Sequence, residues 1–222
     1  SADGFDYLSA RYPDLAGKLE LSQLGVALKK QAPWSPSAEG FRLVSCSALT
    51  PIKRISLLIE ALSLCNLTIS WTHIGSGPLF EQLQAQAAGL PQNITSRFLG
   101  QLTNEEVREH YSRQPYDLFI NVSEHEGLPV SIMEVQCAGI PVMAVDTGGN
   151  RELVNPENGV LLPPNPEPVQ IAEALRDFYR LSAKAQQEKR NNSHDTWDKL
   201  SNAEIQYPRF IRSLEGLFGI GQ

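Results

Sequence analysis

From Phe41 onward the sequence alternates between apolar, β-branched runs and amphipathic runs of helical period, and this alternation constrains the fold more than any other feature. The runs FRLVSCS, LTISWTHIG, NITSRFLG, YDLFINVS and IPVMAVD each read as a strand. Between them, RISLLIEALSLC, GPLFEQLQAQAAG, TNEEVREHYSRQ and LPVSIMEVQCAG read as helices. Gly89 and Pro91 stop the second of these, and Thr103 with Glu106 opens the third in a capping-box spacing. A short helix near GNRELV, an apolar GVLLP and a helix from Pro166 to about Leu181 complete the pattern. Strands joined by helices of this length form right-handed parallel units, and the uniformly apolar central strands predict a sheet covered on both faces. The expected fold class is α/β, a Rossmann-like doubly wound parallel sheet.

Two flanks lie outside that alternation. Residues 1–26 read as a helix over FDYLSARYPDLAGK followed by a strand-like LELSQLGV, and 27–40 as a linker holding two prolines. At the far end, SAKAQQEKRNNSHDTWDKLS and AEIQYPRFIRSLEGLFG read as two helices, the second broken or started near Pro208. The α/β unit is therefore expected over 41–181 and the closing helices over 182–222.

Composition excludes several classes of partner. A net charge of −6 over 222 residues argues against a dedicated nucleic-acid binder, which would usually show a basic face, while leaving room for a local basic pocket for phosphate. No apolar run approaches the roughly 18 residues of a membrane span. Ser1 to Arg11 lacks the basic start and apolar core of a secretory signal, while an opening Ser-Ala without Met points to missing preceding residues. Cys46, Cys65 and Cys137 form no C-x-x-C pair and fit reduced, buried thiols in a cytoplasmic protein. No residues stand at metal-ligand spacing, so no metal is expected. His73 reads as structural, and Trp34, Trp71 and Trp197 read as packing anchors.

The chemistry is expected where the strands end. Open parallel sheets bind ligands at strand C-termini, where helix N-termini offer free amides and about half a positive charge. After the fourth strand, SEHEGLPVSIMEVQCAG places Glu126 before Gly127 and Glu134 eight positions later. Eight residues is close to two turns at about 3.6 per turn, which predicts both carboxylates on one face. Glu134 suits a diol such as ribose, Glu126 another polyol or a developing positive charge, and the amides from Leu128 and Val130 onward an anion. The same spacing also fits a helix N-terminal acid with a solvated Glu. Likewise Lys53 and Arg54 fit either a phosphate site or a pair of solvated charges, and His125 either touches the ligand or packs beside the loop.

With its surroundings, EGLPVSIME followed by G-x-P-V resembles the E-x7-E signature of the retaining GT-B glycosyltransferases of family four, group 1. SALTPIKRISLLIEAL, HIGSGPLFEQL, RFLGQLTNEEVREHYS and AVDTGGNRELVNPENGVLLPPNPEP resemble the family's other segments, in the correct order and over nearly the whole chain. The resemblance implies the C-terminal, donor-binding half of a GT-B fold. Residues 1–26 would then be the end of the N-terminal acceptor domain, and 182–222 helices bracing towards that domain. It implies a nucleoside-diphosphate sugar as donor, with no metal or other cofactor, and a glycan or lipid-linked acceptor bound by the N-terminal domain. The setting implied is bacterial surface polysaccharide synthesis in the cytoplasm or at the inner face of the membrane, which leaves peripheral membrane association of the full-length enzyme open.

Residue by residue, Lys53 resembles the basic group that holds the donor diphosphate, and Glu126 the acid near the donor sugar; these are the expected catalytic pair. Glu134 resembles the acid that binds the nucleotide ribose. Gly127 and Leu128 offer amides beside the phosphates, Gly75 and Gly77 line the neighbouring loop, and Leu102 closes the stretch from Phe98 where the base lies. Ala48 replaces the family's arginine five residues before Lys53, and Arg54, where glycine is common, is expected to supply the second charge. A domain of this kind should bind nucleotide and transfer little sugar by itself. Two other readings stay open: a GT-B epimerase or phosphorylase, and a non-catalytic flavodoxin-like interaction module. A dehydrogenase is disfavoured because no G-x-G-x-x-G follows the first strand. Residue identities do not distinguish UDP, GDP and ADP, because the family reads the base largely through backbone atoms.

Overall fold

A computed structural model describes residues 1–27, 31 and 34–218. The apolar runs become β1 (Phe41–Cys46), β2 (Ile69–Ile74), β3 (Ile94–Phe98), β4 (Leu118–Asn121), β5 (Val142–Val145) and β6 (Gly159–Leu162). Among the described residues these strands form one sheet in the order β3-β2-β1-β4-β5-β6, parallel throughout. Strand β6, read from sequence only as a short apolar segment, pairs at the edge because its first residue has no side chain. A Cβ on Gly159 would stand 1.9 Å from the Val142 carbonyl oxygen.

The helical runs become α1 (Ala2–Arg11), α2 (Ile55–Ser63), α3 (Phe80–Ala87), α4 (Asn104–Arg113) and α5 (Val130–Cys137), then α6 (Asn150–Leu153), α7 (Pro168–Tyr179), α8 (Ala183–Ser201) and α9 (Ala203–Phe218). Strand residues alternate between two cores, one per sheet face. Phe41 and Leu43 pack with Leu58 and Leu62 of α2, Leu83 of α3 and Leu175 of α7. Val44 turns the other way, to Val107 and Tyr111 of α4, Met133 of α5 and Trp197 of α8. Helix α4 starts with the capping box expected at Thr103 and Glu106. Among the described residues no helix is long and apolar enough to cross a membrane.

Three local expectations need correction. The first helix stops at Arg11 instead of running to Lys18, because a residue before proline is kept out of helical conformation; Tyr12 precedes Pro13 and has φ −132 and ψ 66. LELSQLGV forms no strand, and only Val26 makes an isolated bridge, to Asn202. Here the backbone is held by helices instead of by a sheet: Trp197 Nε1 donates to the Val26 carbonyl at 3.0 Å and the Tyr207 hydroxyl to that of Gly25 at 2.9 Å. Helix α9 continues through Pro208. Pro208 and Glu204 are both exposed, so the carbonyl whose partner the proline removes belongs to a solvent-facing turn of the helix. Of the expected linker, 28–30 and 32–33 lie outside the described residues, as do 219–222 of the closing segment.

At the N-terminal edge of the sheet, Asp117 gathers a knot of hydrogen bonds. It accepts from Trp34 Nε1 at 2.7 Å, from the Arg42 amide at 2.7 Å, and from Arg42 Nε and Nη2 at 2.9 and 2.6 Å. Arg190 stacks over the Trp34 ring at 5.1 Å and donates to the Tyr116 carbonyl. Trp34 is thus an anchor, and Asp117, only 5% exposed, is its centre. Removing one member of a buried ionic pair strands the other. Asp117→Ala is therefore expected to cost about 3 kcal/mol of stability, read as a lowered urea midpoint with an unchanged slope.

Candidate nucleotide-sugar site

The strand order reverses between β1 and β4, and at such a point the following loops part and leave a crevice at the strand C-termini. A cavity of about 340 Å³ opens there, and Lys53, Gly75, Leu102, Glu126 and Glu134 all line it. A larger groove of about 650 Å³ runs past Arg42, Thr72, Arg97 and Tyr116 towards the N-terminal edge of β1–β3. It lacks helix N-termini and both acids of the motif, so the smaller cavity is the candidate site.

The two acids converge by a different route from the one their spacing predicts. Residues 126–129 are not helical, since Pro129 keeps Leu128 out of helical conformation and caps α5 itself. Glu134 is therefore little more than one turn into α5, and the loop after β4 folds Glu126 back over the same cavity. That loop rests on the turn after β5. The Gly149 amide donates to the Gly127 carbonyl at 2.7 Å, Thr147 Oγ1 donates to that of Glu124 at 2.8 Å, and a Cβ on Gly148 would lie 1.8 Å from the Glu126 carbonyl oxygen.

Lys53 ends a short 3-10 turn after β1, and its Nζ donates to Glu126 Oε1 at 2.8 Å. The same oxygen accepts from Asn121 Nδ2 at 3.0 Å. Burial pushes the Glu126 carboxyl up, but hydrogen bonds from Asn121, Lys53 and Ser123 outweigh it and hold the group below its usual range. Glu134 is treated in the opposite way. It is 8% exposed, its carboxylate accepts no hydrogen bond among the described residues, and its ion-pair partner there is Arg108, 3.8 Å away. Burial pushes its carboxyl up to about 7 against the pull of Arg108. A raised folded-state value favours the protonated form, so the stability that proton contributes is full below about 4.5 and is lost as pH rises through about 7.

The remaining expected residues divide between lining and support. The backbone of Gly75 follows β2 at φ +131, where a Cβ would meet the Ser47 carbonyl oxygen at 2.0 Å. Gly77 packs against the Leu49 backbone and does not line the cavity. The amides of Gly127, Leu128, Val130 and Ser131 donate to no protein acceptor among the described residues. Arg54, expected to supply the second charge, does not line the cavity. Its guanidinium donates to the carbonyls of Val122 at 2.7 Å and Ser123 at 3.2 Å, clamping the β1–α2 loop to the end of β4. Its backbone is left-handed, at φ 49.

Several residues at the site were not singled out from sequence. Asn121 is buried at the end of β4 and binds Glu126; a lone polar residue closing the apolar run LFIN was its signal. Ser47 lines the cavity with an unpartnered hydroxyl. It is held by His73, whose Nε2 meets the Ser47 carbonyl at 3.2 Å while Nδ1 meets Ser45 Oγ at 2.9 Å. Burial pushes His73 down to about 4, so it is neutral and structural, as expected. Arg108 and Asn104 come from α4, which the sequence marked by its cap and its family-like segment but not as a source of site residues, and Gln101 lies within the stretch from Phe98 to Leu102 without having been named. Among the described residues no group of three or more His, Cys, Asp or Glu could hold a metal ion.

The family model for glycosyl transferases group 1 matches residues 29–195. The chain belongs to that family. The O-antigen biosynthesis glycosyltransferase WbnH of Escherichia coli is 35% identical to this group 1 glycosyl transferase chain over 122 residues, 55% of this chain and 33% of WbnH. The amylovoran biosynthesis glycosyltransferase AmsK of Erwinia amylovora is 24% identical over 84% of this chain and 50% of its own. Its distant relatives thus act in bacterial O-antigen and exopolysaccharide biosynthesis, and the chain spans a third to a half of their length. Among solved structures, sucrose-phosphate synthase from Thermosynechococcus elongatus superposes over 100% of this chain and 58% of its own, with a TM-score of 0.81 at 21% identity. Anabaena HepE in complex with UDP-glucose matches 81% of this chain and 50% of its own at a TM-score of 0.67 and 23% identity. The fold of the group 1 glycosyl transferase chain is the C-terminal half of GT-B.

Arg54 yields a test within this glycosyl transferase domain. Arg54→Ala loses the clamp and keeps the left-handed strain, whereas Arg54→Gly loses the clamp and relieves it. The Gly variant should be the more stable by about 1 kcal/mol, measured by urea denaturation; equal stabilities would show that the left-handed backbone is unstrained.

Proposed function

We propose that this chain is the donor-binding domain of a retaining glycosyltransferase that moves a sugar from a nucleoside-diphosphate sugar to a glycan or lipid-linked acceptor in bacterial surface polysaccharide synthesis. The observation that carries the reading is Glu134. A nearly buried carboxylate with no hydrogen-bond donor of its own faces a cavity that also holds a lysine and unused helix amides. Leaving such an acceptor unpaired is costly, and a ribose diol supplies two donors at once.

The rest of the site fits the same occupant. Lys53 and the amides at the start of α5 receive the diphosphate, and their charge is aimed at the negative charge that builds on it as the sugar departs. Glu126, kept ionised, faces the positive charge that develops on the sugar. Residues 1–26 would belong to the end of an acceptor-binding domain and 27–40 to the crossing between domains. The closing helices over 182–222 would brace towards that domain, with the enzyme working in the cytoplasm or at the inner face of the membrane. WbnH and AmsK, named for O-antigen and amylovoran biosynthesis, support the polysaccharide setting, and HepE with UDP-glucose supports the donor class.

Calorimetric titration with UDP, GDP, ADP and their sugars tests the reading; an intact fold that binds none of them returns the chain to the class of interaction modules. Glu134→Ala should weaken the nucleotide that binds by about 1–3 kcal/mol. The pH dependence adds a second test, because the diphosphate diester of a sugar nucleotide does not titrate near neutrality. With Glu134 losing its proton near 7, affinity should rise roughly tenfold from pH 6 to pH 8. Glu134→Gln should be flat over that range. Tight binding with a flat wild-type profile would detach Glu134 from the ribose.

A further inference from the structure

We propose that Arg108 is a positioning residue for donor binding, its guanidinium turning the Glu134 carboxylate into the cavity as a two-oxygen acceptor. The proposal rests on the reading of Glu134 as the ribose-binding group. Arg108 follows Val107, which lines the cavity, and its Nη1 stands 3.8 Å from Glu134 Oε1. At that separation there is Coulomb attraction without a hydrogen bond. The acid is oriented and its lone pairs stay open. A closer, bidentate arginine would saturate the oxygens that a diol needs.

The groups around Glu134 leave this task to Arg108. From β1, Cys46 presents a thiol that burial pushes up to about 11. From α4, the fully buried Tyr111 hydroxyl is also pushed up by burial, so both are uncharged at neutral pH. Across the cavity Lys53 is paired with Glu126. His194 of α8 reaches α5 at the Cys137 carbonyl, three residues beyond. Burial favours a protonated Glu134, and Arg108 is the opposing influence. A protonated carboxyl offers one acceptor oxygen fewer to a diol, so losing Arg108 should act through the proton.

The test uses Arg108→Met, which keeps length without charge, and Arg108→Lys, which keeps charge. Two readouts are taken on the whole chain. One is the carboxyl carbon-13 titration of Glu134, identified as the resonance missing in Glu134→Gln. The other is calorimetric affinity for UDP-glucose, GDP-mannose and ADP-glucose at pH 7 and pH 9. In Arg108→Met the Glu134 midpoint should rise by roughly one pH unit. Affinity for the sugar nucleotide that wild type binds should fall about fivefold at pH 7 and recover at pH 9, where the acid is ionised in every variant. Arg108→Lys should stay close to wild type in both. Wild-type affinity at pH 7 in Arg108→Met, or an unmoved midpoint, would overturn the role of Arg108 while leaving the donor reading intact. Failure of wild type to bind any of the three would overturn both.

Discussion

The reversal of strand order between β1 and β4 is the constraint on which the site depends. Crossovers that leave these neighbouring strands in opposite directions carry their helices apart, and no helix caps the gap between the strand ends. One loop brings a lysine to that gap, the other brings Glu126, and the helix it leads into brings Glu134. Short hydrogen bonds then tie the loops together: Lys53 to Glu126, Arg54 to the Val122 and Ser123 carbonyls, and the Glu124 amide to the Ile52 carbonyl. The helices and cores on either face keep those strand ends in register.

Within one small cavity, two chemically identical carboxyls are held in contrasting states. Glu126 has donors on hand and stays ionised; Glu134 has been given burial, a distant arginine and nothing that donates. Environment, not residue type, assigns the roles. A satisfied acid keeps a fixed charge, and an unsatisfied one keeps its acceptor oxygens open to the cavity.

Much of this was readable from sequence, for identifiable reasons. Apolar strands, amphipathic helices and the Thr103–Glu106 cap are local signals, and the sheet followed from their alternation. Lys53 and Glu126 were singled out because each sits beside a loop-to-helix junction, Glu134 by its eight-residue spacing from Glu126, and the three line one cavity. What failed was what depends on contacts distant in sequence. The placement of LELSQLGV is set by Trp197 and Tyr207, about 170 residues away or more. Arg54 looked like a free cation because nothing nearby in sequence announces the carbonyls at the end of β4. Pro129 could have revealed the late start of α5, had its effect on Leu128 been weighed against the eight-residue spacing. Arg108 left no trace, since an arginine on an amphipathic helix looks the same whether it meets water or an acid.

The glycines bear on how such a domain can diversify. At Gly75 and Gly148 a single methyl would collide with backbone of the adjoining loop, whereas at Gly100, before the β3–α4 rim, the space beyond the chain is open. The Gly75 wall of the cavity therefore admits no side chain, whereas the rim where Gln101 and Asn104 stand has open space beside it.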